Sequence, residues 1–257
     1  MADAAAVLVT REGPVATVTF NRPGTLNALG PELSRALAES LETLAAEPGI
    51  RVVVLTGAGR AFCAGGDMAA AWRALEAGDP RSLFDGVLEW LHRAVLTVRH
   101  MPQPVVAAIN GPTSGAGLSL AAACDLRLAA SSAVFKIGYT SIGLCPDAGW
   151  TVTVPRLVGL GPASELVLLD HPVDAERALT LGLVNEVCPA DSLLTRTAEV
   201  AAGLVRQPAA SLAAAKALLN AALFPELEAQ LARERRAVVE LSAGPDFRQR
   251  LAVFLKR

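Results

Sequence analysis

The chain has 257 residues, 52% of them apolar, with 23 Lys and Arg against 25 Asp and Glu for a formal net charge of −2. That length suits one large domain or a domain with an appendage, and balanced charge with no basic, aromatic-interleaved stripe argues against nucleic acid as the partner. No window approaches the roughly 18 uninterrupted apolar residues of a membrane span, and the start Met-Ala-Asp-Ala-Ala-Ala lacks the basic and apolar regions of a secretory signal.

Residues 7–10 and 14–20 are β-rich runs separated by Arg11-Glu12-Gly13, which predicts an N-terminal hairpin. Asn21-Arg22-Pro23-Gly24 stops the second strand. Pro31 suits a first helical turn, and Leu33, Leu37, Leu41 and Leu44 fall on one stripe as far as Ala46. Residues 51–56 form a continuous apolar strand that runs into a glycine-rich turn ending Phe62-Cys63-Ala64-Gly65-Gly66-Asp67. Helices are expected over residues 68–75 and about 82–100, the second with Leu83, Val87, Leu88, Leu91, Val95 and Val98 as its apolar face. Gly78-Asp79-Pro80 between them reads as a mobile loop.

Residues 104–125 carry the most information. A short apolar run ends in a turn containing Gly111, Gly115 and Gly117, and Ser119 is the only polar side chain between Gly117 and Asp125. The pattern predicts a helix buried on all sides. Glycines directly before such a helix let backbone N–H groups face a cleft, where the helix start favours negative charge. A tight turn leading into a core helix would read the same way.

Two strand-like segments follow, at 126–129 and 133–137, and the turn Gly143-Leu144-Cys145-Pro146-Asp147-Ala148-Gly149 leads into a helix starting near Ala148. Gly161-Pro162 and Pro172-Val173-Asp174 each begin a further helix, and residues 184–187 are the last strand. From about Asp191 only helices are expected, broken at Pro208 and Pro225. The division is a core over residues 1–190 and a helical region over 191–257 that oligomerises and covers the site, although a separate small helical domain gives the same pattern. Cys63, Cys124, Cys145 and Cys188 show no metal-ligand spacing, so no metal is expected and they read as reduced thiols, mostly buried, in a cytoplasmic protein.

Several motifs, in order, resemble one family. They are Asn21-Arg22-Pro23 with Leu26-Asn27-Ala28-Leu29; Gly57-x-Gly59 through Phe62-Cys63-Ala64-Gly65-Gly66-Asp67; Asn110-Gly111 through Gly115-Ala116-Gly117 and Cys124-Asp125; and Gly161-Pro162-Ala163 through Gly182-Leu183-Val184-Asn185. This set resembles the enoyl-CoA hydratase/isomerase superfamily, the crotonases. The resemblance implies an α/β fold, a spiral of β-β-α repeats with a helical C-terminal region packed against neighbouring subunits of a homotrimer or dimer of trimers. It also implies an acyl-CoA thioester as substrate, with coenzyme A arriving as part of it and no separate cofactor. The shared chemistry is stabilisation of a thioester enolate by two backbone N–H groups, which by motif position belong to Gly66 and Ala116. Ala64, Gly66 and Met68 would lie near the adenine end of coenzyme A, with Gly65 also among the coenzyme-binding residues, and Thr25 and Leu26 along the pantetheine and phosphate path. Removing one such N–H donor typically costs on the order of 3 to 4 kcal/mol of transition-state stabilisation.

The hydratases of this family use two glutamates to position and activate water. By position these fall at Ser119 and at Tyr139, the chain's only tyrosine. Losing a general acid or base costs roughly 10²- to 10⁴-fold, which leaves ordinary hydration hard to sustain. Ser119 reads as a small residue that lets a buried helix pack closely. Tyr139 reads either as a phenolic donor toward the acyl group or as an aromatic wall.

Asp147 is similar to the aspartate in the Pro-Asp-x-Gly form of isomerases acting on ring-epoxide or other unsaturated acyl-CoAs, where it moves a proton. Its other available role is helix N-cap. In an apolar pocket, desolvation raises such a carboxyl toward a useful base. Asp67 reads as a turn-fixing carboxylate, His92 and His100 as residues of the long helix, and His171 as part of a surface turn. Lys216, Lys256 and Arg257 read as solvated basic residues, with coenzyme A phosphates as the other reading.

The expected function is therefore an enoyl-CoA isomerase with Asp147 as acid/base. The alternatives are an enoyl-CoA hydratase with a non-standard acid or base and a catalytically silent acyl-CoA-binding scaffold. A serine hydrolase built on Gly117-Leu118-Ser119 needs an accessible serine and a partner histidine, which a buried helix denies.

Overall fold

The continuous apolar runs of the sequence form parallel strands covered on both faces, as such runs must. In the computed structural model, which describes residues 5–256, the chain begins with β1 (Val7–Glu12), β2 (Val15–Phe20), α1 (Pro31–Ala45), β3 (Val52–Gly57), α2 (Met68–Glu76) and α3 (Pro80–His100). It continues through β4 (Val105–Ile109), β5 (Thr113–Ser114), α4 (Ala116–Ala123), β6 (Leu126–Ala130), β7 (Val134–Lys136), α5 (Trp150–Val158) and α6 (Leu160–Leu169). Then come β8 (Val173–Asp174), α7 (Ala175–Thr180), β9 (Glu186–Cys188) and four helices, α8 (Leu193–Val205), α9 (Ala209–Leu223), α10 (Leu227–Ser242) and α11 (Pro245–Phe254).

The larger sheet has the order β1-β2-β3-β4-β6-β9 and is parallel except for the β1–β2 hairpin; the smaller is β5-β7-β8. After four of the six strands of the large sheet the chain makes a second, short pairing before its next helix. After β2 this is a bridge from Leu29 to Gly66, after β3 a bridge from Cys63 to Thr113, and after β4 and β6 it is the β5–β7 pair and the β7–β8 pair. That repetition is the β-β-α spiral. Pairings of one or two residues leave no period to read, so the sequence pattern does not reveal β5 or β8.

Alternate residues of the strands serve two cores. Val53, Leu55, Val105, Ala107 and Ile109 face the main core with α1 and α3, while Val52, Val54, Val106 and Ala108 pack with Leu193 and Ala201 of α8. Of the helices after residue 190, α8 thus lies directly on the sheet, and α9 and α10 lie on α3. Every residue of α4 is buried, as expected from its lack of a polar face. Among the described residues, no helix is long and apolar enough to cross a membrane.

Several boundaries differ from the sequence-based expectation. Arg11 and Glu12 keep ladder partners in Ala16 and Val15, so the hairpin turns at Gly13-Pro14 instead. The expected loop at Gly78-Asp79-Pro80 is a tight junction: Pro80 opens α3, and Asp79 Oδ1 accepts the Ser82 N–H at 3.3 Å as its cap. The last strand starts at Glu186, because the Asn185 side chain instead accepts the Arg127 N–H at 2.8 Å. A further break at Gly244, ahead of Pro245, separates α10 from α11.

Lys216 is the clearest correction. It is buried, its Nζ donating to Val98 O at 2.7 Å and Gln103 O at 2.9 Å and pairing with Asp125 at 2.7 Å. Arg99 approaches the same carboxylate at 3.4 Å. A long stem with its charge matched lets a lysine enter a core. The near-uniform apolarity of α9 hides this buried face, whereas Leu218 and Leu219 of the same helix are exposed.

Candidate active site

Two asparagines, the buried Asn27 and the half-buried Asn110, shape the first glycine-rich turn. Asn27, with a left-handed φ of 58°, donates through Nδ2 to Ala61 O at 2.8 Å and Ala58 O at 3.0 Å. Asn110 accepts the Gly57 N–H at 3.2 Å and donates to Gly59 O at 3.0 Å. The turn so held delivers residues 63–67 against the start of α4. There Ser114 N donates to Cys63 O at 2.9 Å. A Cβ on Gly65 would stand 2.9 Å from Ser114 O, and one on Gly117 would stand 2.6 Å from Cys63 O. Only glycine permits both approaches.

Leu29 N donates to Gly65 O at 2.7 Å and Leu29 O accepts from Asp67 N at 3.2 Å. In a parallel bridge of this kind, the N–H of the intervening Gly66 points to the opposite side. Ala116 is the first residue of α4, so its N–H has no intrahelical acceptor. Neither N–H has a hydrogen-bond acceptor among the described residues, and both residues line one cavity of about 670 Å³. Leu83, Phe84, Leu88 and Leu91 of α3 form an apolar wall, and Val253 and Phe254 of α11 line the cavity as well.

Asp147 lines the same cavity and is 5% exposed. Tyr139 Oη donates to its Oδ1 at 2.5 Å, and Ser119 Oγ lies 3.1 Å from Tyr139 Oη and 3.3 Å from Gly115 O. With the phenolic proton directed at the carboxylate, the single Ser119 proton is shared between Tyr139 Oη and Gly115 O. Burial pushes the Asp147 carboxyl up to about 7; the Tyr139 hydrogen bond opposes this and the charge of Glu234 adds to it. Burial, then the charge of Asp147, pushes the Tyr139 phenol well above its ordinary value, so it remains a donor.

Three expectations are revised by this geometry. Tyr139 is part of the cavity wall, but its hydroxyl is engaged by Asp147. Ser119 is fully buried and hydrogen-bonded, so it is more than a packing residue and is no accessible nucleophile. Asp147 does not cap a helix through its side chain: α5 begins at Trp150 because Ala148 and Gly149 are left-handed, with φ of 54° and 81°.

Two carboxylates that the sequence did not single out hold the turns carrying these residues. Asp170 accepts from Gly138 N at 2.6 Å and from Ser141 N at 3.3 Å, on either side of Tyr139. Glu234 of α10 accepts from Gly149 N at 2.7 Å and from Thr151 N at 3.0 Å. Asp170 lies beside the His171 turn and Glu234 within a charge-dense helix, and neither setting signals burial.

Ala64, Gly65 and Met68 also lie on the cavity wall, the Met68 methyl covering Gly66. Thr25 and Leu26 stand outside it, Thr25 donating to Arg22 O at 3.2 Å and Leu26 O accepting the Ala64 N–H at 2.9 Å. Asp67 caps α2 by accepting from Ala70 N at 2.8 Å, the turn-fixing role expected of it. His92 is buried, with burial and then Arg235 pushing its imidazole down to about 4, while His100 and His171 are exposed. Lys256 is exposed, and Arg257 lies outside the described residues, as do residues 1–4. Cys63 and Cys124 are buried and Cys145 and Cys188 half-buried, all four unpaired.

Comparison with known proteins places this geometry among relatives. Residues 10–257 match the enoyl-CoA hydratase/isomerase family. A Rhodobacter capsulatus protein named "Probable enoyl-CoA hydratase" is 38% identical, covering 95% of this chain and 92% of its own. The 1,2-epoxyphenylacetyl-CoA isomerase of Escherichia coli is 34% identical, covering 96% and 94%. A crystal structure of an enoyl-CoA hydratase from Mycobacterium avium subsp. paratuberculosis superposes with a TM-score of 0.89 at 35% identity, covering 98% of this chain and 100% of that one.

The burial of Asp147 has a measurable consequence for stability. The folded group titrates at about 7, whereas an unfolded aspartate titrates near 3.9. Between about pH 4 and 7 the unfolded state releases its proton first, so the penalty on folding grows with pH and is complete above 7. Asp147→Asn keeps an oxygen for Tyr139 and removes the ionisation. It is expected to melt at a higher temperature than the parent at pH 8 and to lose that advantage at pH 4; equal melting temperatures at pH 8 would contradict the assignment.

Proposed function

The chain belongs to the enoyl-CoA hydratase/isomerase family, and from that premise we propose that it is an enoyl-CoA isomerase, shifting a double bond through a thioester enolate with Asp147 as acid/base. The observation that carries this reading is a single buried carboxyl, raised to about 7, on the wall of a cavity shared with the free N–H groups of Gly66 and Ala116.

In this reading the thioester oxygen takes both N–H groups, which stabilise it as negative charge develops. An α-proton of a 3-enoyl-CoA passes to Asp147, the electrons move into the dienolate, and the same proton returns at the γ-carbon to give the 2-enoyl-CoA. Nothing is added or lost, so the reaction needs no separate cofactor and coenzyme A enters only as part of the substrate. A pKa near neutrality lets the carboxyl both accept and return the proton. Tyr139 occupies Oδ1 and leaves Oδ2, which has no protein hydrogen bond among the described residues, for the substrate. Ala64, Gly65 and Met68 line the way toward the adenine, with Thr25 and Leu26 farther along the pantetheine and phosphate path.

Hydration is the competing reading, favoured by the name of the Rhodobacter capsulatus relative. Assaying 3-enoyl-CoA and 2-enoyl-CoA side by side separates the two. Isomerisation should be the faster reaction, and Asp147→Asn should slow it roughly 10²- to 10⁴-fold. Ala116→Pro removes one N–H at a helix position that tolerates proline, and should lower kcat by about 10²- to 10³-fold with little change in KM. Hydration that outpaces isomerisation and survives Asp147→Asn would overturn the proposal. Binding without α-proton exchange in deuterated water would point instead to a silent scaffold.

We also propose a homotrimer or dimer of trimers, working in a cytoplasm that keeps its four thiols reduced. The support is the apolar surface left open on one subunit: Leu160, Leu168 and Leu169 on α6 and Leu218 and Leu219 on α9. Sedimentation should give three or six times the 26.6 kDa chain mass, and the paired change Leu218→Glu, Leu219→Glu should reduce it. A monomeric parent would refute this assembly.

A further inference from the structure

Beyond the residues that touch the cavity, one buried acid is placed where it controls the proposed base. We propose that Glu234 is the positioning residue for Asp147: its carboxylate holds the left-handed turn after Asp147 and so fixes where the Asp147 carboxyl points. The inference rests on the reading of Asp147 as acid/base.

The turn needs such a support. Ala148 is a fully buried alanine at φ 54°, followed by Gly149 at φ 81°, and a left-handed alanine is unfavourable unless its surroundings hold it. Within the segment only the Trp150 N–H, donating to Asp147 O at 3.1 Å, closes the turn, and α5 has no side-chain N-cap. Glu234 reaches in from α10 and supplies the missing acceptors. Its Oε2 takes the Gly149 N–H at 2.7 Å, and its Oε1 takes the Thr151 N–H at 3.0 Å together with the Thr151 hydroxyl. Gln230, one helical turn earlier, donates to that hydroxyl at 2.9 Å. Three donors thus converge on the Glu234 carboxylate, and Gln230 holds one of them in place.

Glu234 is itself rigidly delivered. It lies on the buried stripe of α10 with Leu227, Leu231 and Val238, and Leu227, Leu231 and Val95 stand where a Cβ on Gly149 would touch them. All its partners are donors, which suits an ionised carboxylate; a glutamine would turn an amide N–H₂ toward one of them. A negative group at the start of α5 is also favoured by the helix dipole.

The charge matters as well as the geometry. Around Asp147 stand the Tyr139 and Ser119 hydroxyls, the Cys145 thiol, Asp246 of α11 on the cavity wall, and Glu234. On the α3 side, Arg235 is turned to Asp85 and Glu89, and His92 is neutral. No cation pairs with Glu234 among the described residues, so its charge reaches Asp147 uncompensated and helps keep that carboxyl basic.

Two substitutions separate the contributions. Glu234→Gln removes the charge; Glu234→Asp keeps it and withdraws it by one methylene. In 3-enoyl-CoA isomerisation both should lower kcat by roughly 10- to 100-fold with KM nearly unchanged. The acid limb of the kcat/KM profile should move to lower pH in Glu234→Gln, because losing a negative neighbour lowers the Asp147 pKa and the ionised carboxylate is the base. In Glu234→Asp the limb should stay near that of the parent.

Parent-like kcat in either variant overturns the proposal, and so does a fall in kcat that accompanies only a lower melting temperature while the acid limb of Glu234→Gln stays fixed. Should Glu234→Gln not fold, the kcat of Glu234→Asp decides. Asp147→Asn serves as the control. If it leaves isomerisation intact, the acid/base reading has failed; if it abolishes isomerisation while the Glu234 variants behave as the parent, only the Glu234 proposal has failed.

Discussion

Two backbone segments that touch without side chains between them hold the whole arrangement together. Residues 63–65 lie so close to residues 114–117 that a single Cβ on Gly65 or Gly117 would fall under 3 Å from a carbonyl oxygen. The contact joins two successive repeats of the spiral through the Cys63–Thr113 bridge, and it brings Gly66 and Ala116 to one cavity. Each turn is also held from behind, the first by Asn27 and Asn110 and the second by the Gly115 N–H on the Lys136 and Ile137 carbonyls. Backbone donors fixed in this way need no rearrangement to meet a developing negative charge, which is where their advantage over water lies.

The C-terminal helices pack against the elements that carry the site, and α11 lines part of the cavity. Phe247 of α11 packs edge-on against Phe84 of α3 with ring centroids 5.5 Å apart, and its backbone stands 3.0 Å from where a Gly143 Cβ would be. α10 places Leu227 and Leu231 on the turn at Gly149. Burial is the largest influence on Asp147, Tyr139 and Glu234 alike. The helical region is thus part of the electrostatics of the cavity, since the charge of Glu234 on α10 adds to the effect of burial on Asp147.

Much of this was legible in the sequence, and the reasons differ from place to place. The α1 stripe, the apolar strands and the all-buried α4 follow from hydrophobic periodicity, which local pattern encodes directly. The glycine turns and Asp147 were legible because unusual backbone or burial requires particular residue types there. Lys216, Asp170 and Glu234 were not. Each is a charged side chain buried through partners 29 or more positions away, and a linear pattern read over a few turns contains no trace of such partners. Thr25 and Leu26 were named through motif position alone, and they stand outside the cavity lining.

The polar line through the cavity bears on which reaction the cavity suits. Ser119 Oγ lies beside Tyr139 Oη, Tyr139 donates to Asp147, and the line ends on one carboxylate. Adding water across a double bond calls for one group to take a proton from water while another supplies a proton to the carbon. Here the phenol, with its pKa driven well above the ordinary value, keeps its proton, directs it at the carboxylate and is a poor proton source for anything else. A double-bond shift asks less, since one carboxyl that gains a proton and gives it back is sufficient. The hydroxyls then serve to orient that carboxyl and to moderate its basicity, which is the part the Tyr139 hydrogen bond plays against burial.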